Sequence, residues 1–499
     1  VGGRRLVKKI ANDVWVPVDE EFDIQPQQGY DLITTIDINL QDVAEFALLN
    51  QLAENDADHG CVILMEVKTG YIRAIANLGK NEEGSYEEDY NYAIGESSEP
   101  GSTFKLATLM AALEDKKVKL SDYVTTGNGV VTYHNRTMRD VHPIGTGIIT
   151  VREAFEHSSN VGISKVIMDA YKNDPGQFTD RLYQFGLQNK LNIDIAGEGS
   201  PLIKNPEDST WSKVTLPWMS TGYEVLLTPL QILTFYNSVA NNGVMVKPQF
   251  VEEIRHSGMT VRSFDPAVIN PAVCSQSTIK QLQQLLEGVV ENGTAQNVKN
   301  PVYKIAGKTG TAQIMVEGVG YDKNNYKATF VGYFPADNPQ YSCIVMIFKP
   351  NKGIYYGSQI AAPVFKEIAD KVYATSPEIQ FSVNPPRDTL FLPDTTRGAF
   401  ADLVAICQTL GLTPPPPVKQ SPWIQLSRKE EHLSFEEVIL NDTAVPDLTG
   451  LGARDAIYLL ESIGLRPQIQ GKGKVSSQTP APGSPLIKGE YVILTLSAS

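Results

Sequence analysis

From Tyr30 onward the apolar residues switch between the two periods that distinguish strands from helices. Leu32-Ile-Thr-Thr-Ile36 reads as a strand, and from Asn39 through Leu52 apolar residues recur at helical spacing. Cys61 to Val67 and Tyr71 to Ala76, on either side of Lys68-Thr-Gly70, predict two strands about a glycine turn. The alanine- and leucine-rich run from Gly101 to Glu114 follows Pro100 and predicts a helix starting close to Ser102. Further helices are predicted after Thr150 and over Leu230 to Ala240. Two strand-like runs, Ala328 to Phe334 and Tyr341 to Phe348, precede a helical stretch from Ala362 to Tyr373. Strands at both ends with helices between predict an α+β domain whose sheet joins early and late chain.

The flanking regions read differently. Residues 1–29 mix charges with Pro17 and Pro26, show little periodicity, and suit a strand-like fragment or a linker. Beyond Ser376 proline becomes frequent, with Pro385-Pro386 and the run Pro414 to Pro417, which marks a boundary. The tail also repeats itself at a constant offset of 53: Leu392-Pro-Asp394 recurs as Val445-Pro-Asp447, Leu410-Gly-Leu412 as Ile463-Gly-Leu465, and Asp402 as Asp455. Each copy ends near a strand-like run, Val438 to Leu440 and Tyr491 to Leu494. Several coincidences in one register favour a real repeat. The expected organisation is a domain over 30–375, a proline-rich linker with a degenerate module over 376–442, and a terminal module over 443–499.

Composition narrows the function classes. The chain has 499 residues, enough for two to four folded units at roughly 100–200 residues each. With 42% hydrophobic and 20% charged residues it has the composition of a folded protein. A net charge of −14 gives no bulk attraction to phosphates, so no nucleic-acid partner is expected. Cys61, Cys274, Cys343 and Cys407 lack the close pairing of a zinc site, and neither a metal, a disulfide scaffold nor a cofactor is expected. No apolar run approaches the roughly 20 residues that cross a bilayer, and the stretch from Val1 is not expected to hold a signal peptide. Arg4-Arg5 lacks the apolar core that follows a twin-arginine signal.

Three short motifs carry candidate chemistry. In Ser102-Thr-Phe-Lys105 a helix would put serine and lysine on one face, where the amine can activate the hydroxyl. The spacing alone says little, because Ser277-Thr-Ile-Lys280 repeats it, and a surface serine near a solvated lysine is the plain reading. Ser158-Ser-Asn160, followed by apolar Val161 and Ile163, reads by itself as a helix cap or turn. In Lys308-Thr-Gly-Thr311, Gly310 lets another chain or a ligand approach a strand backbone, and the lysine and threonines can hold an anion. Lys68-Thr-Gly70 precedes the serine and falls where a hairpin turn is expected. The combination is informative: Ser-x-x-Lys, then Ser-x-Asn 56 residues later, then Lys-Thr-Gly a further 150 on.

This ordered triple, with Pro100-Gly101 leading into the serine, resembles that of penicillin-binding proteins and class A β-lactamases. Tyr30-Asp-Leu-Ile-Thr-Thr-Ile-Asp37 with Gln41, Asp140-Val-His-Pro143, Gly222-Tyr-Glu-Val-Leu-Leu-Thr-Pro-Leu-Gln231, Ala240-Asn-Asn-Gly243 and Phe330-Val-Gly-Tyr-Phe-Pro335 are similar to class B penicillin-binding proteins. That resemblance runs from Tyr30 to Tyr373. The segment from Val445-Pro-Asp-Leu-Thr-Gly450 to Gly489-Glu-Tyr-Val492 resembles a PASTA module, and Leu392 to Asn441 a degenerate second copy. A PASTA tail leans towards the division, septal type of transpeptidase. The implied fold is a penicillin-binding transpeptidase or serine β-lactamase-like α+β domain, an antiparallel sheet with helices, followed by small α+β PASTA-type modules. The family carries a membrane anchor and an N-terminal pedestal. Residues 1–29 are therefore expected to be a pedestal remnant, and the implied location is the extracytoplasmic face of the bacterial cytoplasmic membrane.

The resemblance implies acyl transfer on peptidoglycan stem peptides ending in D-Ala-D-Ala, with β-lactams as covalent inhibitors and no cofactor. Ser102 would attack the carbonyl between the alanines, and Lys105 would be its base. For that, the lysine pKa must fall from about 10.4 towards roughly 8, a cost of about 3 kcal/mol to the charged state. Burial and a second cation, Lys308, would lower it. Ser158 would relay the proton to the leaving amine, Asn160 would hold Lys105 and the substrate amide, and Thr309 and Thr311, with Lys308 and Gly310, would bind the terminal carboxylate. The backbone N–H groups of Ser102 and Thr311 would form the oxyanion hole. A membrane glycosyltransferase and divisome proteins are partners by family. His157 lies beside Ser158, but no G-x-S-x-G elbow surrounds Ser102, so His157 is expected to be structural. Two other readings stay open: a D,D-carboxypeptidase or β-lactamase-like hydrolase, and a non-catalytic wall-binding scaffold.

Overall fold

The computed structural model describes residues 7–9, 14–17, 29–145, 147–316, 320–376, 395–409, 415, 423–429, 432–437 and 443–497. They fall into two compact units, Val1–Gln380 and Phe381–Ser499. Near the N-terminus Val7–Lys9 and Trp15–Pro17 pair as a short antiparallel hairpin. Arg4, Arg5 and Pro26 lie outside the described residues. No described helix is long and apolar enough to cross a membrane.

The first unit is built on a six-stranded antiparallel sheet in the order Ala306–Val316, Gly320–Phe334, Tyr341–Phe348, His59–Glu66, Ile72–Lys80, Tyr86–Glu87. Late and early chain meet where Val345 pairs with Val62, as strand-like runs at both ends predict. Both central strands are buried almost throughout, which is why they read as continuous apolar runs rather than alternating ones.

Alternation along Gly320–Phe334 assigns the two layers of helix. Phe330 and Phe334 meet Phe365 of helix Gly357–Thr375, with ring centroids 4.7 and 5.7 Å apart, and helix Ile38–Asn55 packs beside it. On the opposite face Tyr333 pairs with Ser342, whose hydroxyl donates to Asn237 Oδ1 of helix Pro229–Ala240 at 2.8 Å. That helix is buried at every residue. It starts from a capping box between Thr228 and Gln231 with Pro229 in the first turn, so its entry needs no solvent.

Two elements run longer than their apolar patterns. The strand expected from Ala328 begins at Gly320, because its first half is polar and forms a hairpin with Ala306–Val316. The helix expected from Ala362 begins at Gly357 and carries Pro363 inside it. Its first turn, with Ser358 and Gln359, faces a cleft instead of the core.

In the second unit, helix Ala453–Ser462 packs Leu459 and Leu460 against Val445, Leu448, Val492 and Leu494. Its sheet has the order Arg466–Gly471, Tyr491–Ser497, Lys474–Thr479, the first pair parallel and the second antiparallel. Thr395–Ala399, Trp423–Lys429 and His432–Glu437 form a separate antiparallel sheet beside helix Phe400–Thr409. The two helices keep the 53-residue offset at both ends. Strand pairing does not follow it, since no parallel pair occurs among the described strands of the earlier sheet. Trp423 from that sheet joins the apolar cluster of the later one. Leu392-Pro-Asp394, Leu410-Gly-Leu412, Val438 to Leu440 and Pro385-Pro386 lie outside the described residues.

Candidate active site

Ser102 sits in a 3-10 turn, Gly101–Phe104, that continues directly into the α-helix Lys105–Glu114. The sequence predicts one helix from Ser102; its first turn is tighter. The chain entering the turn passes against Gly222, where Gly101 N donates to Gly222 O at 3.0 Å. A Cβ on Gly222 would stand 2.0 Å from Gly101 O, so only glycine permits this crossing. Thr103 fixes the other side: its carbonyl accepts from Tyr236 Oη at 2.7 Å and its hydroxyl donates to Pro100 O at 2.8 Å. The nucleophile candidate therefore rests on the buried central helix.

Lys105 is fully buried, and its Nζ contacts Ser158 O at 2.7 Å, Asn160 Oδ1 at 2.7 Å and Ser158 Oγ at 3.2 Å. Burial lowers its pKa to about 7, against the opposing pull of Asp140. A neutral amine keeps two N–H groups and one lone pair. The two short contacts are to oxygens that only accept, so they take both N–H groups and leave the lone pair for a hydroxyl.

Ser158 holds φ +58, a left-handed conformation that costs a serine roughly 1 kcal/mol. Its neighbours impose it. Ser159 caps helix Asn160–Tyr171 by accepting from Gly162 N at 2.8 Å. Asp140 accepts from Ser159 Oγ and Val161 N, both at 2.9 Å, and Asn160 Nδ2 donates to Arg139 O at 3.0 Å.

Lys308-Thr-Gly-Thr311 lies on Ala306–Val316, the outermost strand of the sheet, with Gly310 opposite Thr329. The close neighbour of Gly310 is this protein's own Thr103, whose Cγ2 a Cβ would meet at 3.0 Å, rather than space left for a ligand. Thr309 Oγ1 lies 2.6 Å from Thr294 Oγ1, and Thr311 Oγ1 accepts from Gly357 N at 3.1 Å. Lys308 is fully buried, with its Nζ on Thr309 O at 3.2 Å and 5.7 Å from the Phe155 ring centroid. Burial holds Lys308 well below the ordinary lysine range, and the two amines repel each other, so each disfavours a proton on the other.

Ser102, Ser158, Asn160, Thr309 and Thr311 meet on one cleft of about 310 Å³, with Asp140, His142, His157 and Tyr356 on its walls. Lys105 and Lys308 are buried and do not line it, and Gly310 lies under the serine turn. His157, expected to be structural, is thus a wall residue. Sequence reasoning missed Asp140 as the brace of Ser159 and Thr294 as the partner of Thr309. Asp140 stood in a recognisable flanking motif, but nothing in the sequence pointed to Thr294. The look-alikes separate cleanly: Ser277 and Lys280 are exposed on helix Gln276–Glu291, and Lys68-Thr-Gly70 is the turn between His59–Glu66 and Ile72–Lys80. A larger groove of about 720 Å³ between helices Ile38–Asn55 and Gly357–Thr375 shares no residue with the motifs.

A family model described as the penicillin binding protein transpeptidase domain matches residues 60–370, a span that includes every motif residue. The chain belongs to the penicillin-binding protein transpeptidase family. A PASTA domain model matches residues 443–498. The chain is 30% identical over 381 residues to peptidoglycan D,D-transpeptidase FtsI of Escherichia coli K12, covering 75% of this chain and 60% of that protein. It is 29% identical over 351 residues to Stage V sporulation protein D of Bacillus subtilis, covering 69% and 53%. This penicillin-binding protein thus spans somewhat more than half the length of these relatives. Among solved structures, the transpeptidase domain of Burkholderia pseudomallei penicillin-binding protein 3 matches at 26% identity and a TM-score of 0.60, over 70% of this chain and 98% of that one. Penicillin-binding protein 3 of Mycobacterium tuberculosis with ampicillin matches at 26% identity and 0.63, over 72% and 81%.

Proposed function

We propose that this chain is the catalytic part of a serine-type peptidoglycan D,D-transpeptidase. Ser102 Oγ attacks the carbonyl between two D-alanines, a new ester C–O bond forms, and the C–N bond to the last alanine breaks. The hydroxyl proton passes to neutral Lys105 and leaves through Ser158 to the departing amine. The acyl group then goes to an amine of a neighbouring stem. The supporting observation is that Lys105, dry and held by two obligate acceptors, adjoins a cleft that Ser102 shares with Ser158, Asn160, Thr309 and Thr311.

Two buried amines that repel share fewer than two protons at neutral pH. A substrate carboxylate on Thr309 and Thr311 favours the proton on Lys308, and that leaves Lys105 neutral as the base. Acylation is therefore expected to rise with pH through a midpoint near the Lys105 value of about 7 and then level off. A stopped-flow pH profile of the acylation rate at saturating penicillin checks this, and a flat profile between pH 5.5 and 8.5 would contradict it.

Transfer is favoured over hydrolysis by the cleft itself. Asp140 is the one carboxylate among its described lining residues, and both its oxygens are engaged by Ser159 and Val161. Among the described lining residues no second carboxylate stands beside it to activate water on the ester. The decisive test supplies a stem pentapeptide and an amine acceptor. Cross-linked amide with one D-alanine released per link is expected, tetrapeptide alone would favour the carboxypeptidase, and no turnover would favour the scaffold.

Septal synthesis at the extracytoplasmic face of the membrane, with a membrane glycosyltransferase and divisome proteins as partners, is part of the same reading. It is supported by the likeness to FtsI and by the PASTA tail. The helices in 53-residue register support reading residues 376–442 as a linker and a degenerate PASTA-like module.

A further inference from the structure

We propose that Lys327 is a positioning residue: its buried ammonium clamps the segment leading into Ser102 to the strand pair that carries Thr311, and so sets the spacing of the oxyanion hole. The inference rests on the acyl-transfer reading above.

Lys327 lies on Gly320–Phe334, opposite Ala312 on the substrate-side strand and Phe348 on the other neighbour. It is 2% exposed. Its Nζ donates to Ser98 Oγ at 2.6 Å and to Glu99 O at 2.7 Å. The Phe348 ring centroid is 5.4 Å away. A lysine is rarely placed in such surroundings without charged company. Here Glu96 and Glu99 supply opposite charge, while burial lowers the amine to about 8.

The bonds around this segment show what it holds. Ser98 exchanges backbone bonds with Leu227, N to O and O to N, both at 3.1 Å. Glu99 Oε1 accepts from Glu224 N at 2.8 Å, and Gly101 N donates to Gly222 O. These bonds tie the approach to Ser102 to the 222–227 segment, whose strand Val225–Leu226 pairs with Leu202–Ile203 and not with the sheet bearing Thr311. Lys327 adds a polar link from the segment itself to that sheet, one residue pair from Thr311, which faces Ala328, beside the one that Tyr223 makes with the backbone of Gln313. Gly101 sits against the same strand: a Cβ there would meet Ala312 Cβ at 2.9 Å. One N–H of the proposed oxyanion hole belongs to the clamped segment and the other to the strand, so a shift between them acts directly on the transition state.

The test replaces Lys327 with methionine, which keeps the stem and removes the charge, in the full chain. Saturated acylation by penicillin per active site is expected to fall roughly ten- to a hundred-fold. The half-saturating concentration should stay within about twofold, and the ester should persist longer by a similar factor, since deacylation uses the same hole. A purely structural role would lower the melting temperature or the titratable fraction and leave the rate of the remaining sites unchanged, and that result would overturn the proposal. Should K327M fail to fold, S98A removes one of the two acceptors and is expected to slow saturated acylation roughly three- to tenfold; a wild-type rate in S98A would overturn the clamp. Wild-type protein that acylates while K327M matches it refutes the clamp alone. Wild-type protein that forms no adduct refutes the acyl-transfer reading and the clamp with it.

Discussion

Intact mass after incubation with a penicillin is expected to show one added inhibitor per chain, mapped to the peptide containing Ser102, stable for many minutes and absent in Ser102→Ala. The lactam offers Ser102 a strained amide, and it carries a carboxylate where the stem peptide carries its own. Ser102, Thr309 and Thr311 share one cleft, so both groups can be met together. Attack opens the ring, but the leaving nitrogen stays tethered and blocks the acceptor's path. Water is then the remaining nucleophile, and the cleft carboxylate, Asp140, is already bonded to Ser159 and Val161. The ester should therefore outlast the experiment. Rapid recovery of free protein with steady penicillin turnover would sink the transpeptidase in favour of a β-lactamase, and a folded sample with no adduct would favour the scaffold.

Local pattern reveals an element when its burial is one-sided or complete, and fails where the element serves the cleft. Tyr341–Phe348 was legible to the residue because every side chain but the first is buried. The first turn of helix Gly357–Thr375 was not, because Ser358 and Gln359 line the site and interrupt the apolar period. Three motif positions were legible from order and spacing, and their convergence needs the fold: residues near 102, 158 and 308 share one cleft. What stayed hidden was the support around them. Asp140 holds Ser159 across 19 residues, Thr294 meets Thr309 from the turn after helix Gln276–Glu291, and Lys327 reaches back 229 residues to Ser98. Such links join residues with no common period: Asp140 stood in a recognisable motif, but neither its tie to Ser159 nor the other two links left a signal in a single sequence. The same holds for electrostatics. Two lysines read as base and anchor, but that both are fully buried, and so lowered first by desolvation, depends on the fold.

The sharpest division of labour should appear when Lys105 and Lys308 are each replaced by methionine, which keeps the buried stems. Lys105→Met removes the only amine bonded to Ser158 and Asn160 among the described residues, and with it the proton acceptor for Ser102. The saturated acylation rate should fall by roughly 10³-fold or more, a loss in the range of a missing general base. Lys308 does not line the cleft, and its Nζ lies against Thr309 O and Phe155, so it acts on a bound carboxylate through its charge in a dry surrounding. Lys308→Met should therefore raise the half-saturating penicillin concentration by roughly tenfold to a hundredfold, the scale of a lost charge-assisted contact. Its saturated rate should stay within about tenfold of the wild type. Its pH midpoint should move above the wild-type value, because the neighbouring charge that disfavours a proton on Lys105 is gone. Stopped-flow acylation over a range of penicillin concentrations separates the two quantities, and equal losses in the saturated rate of both variants would undo the assignment.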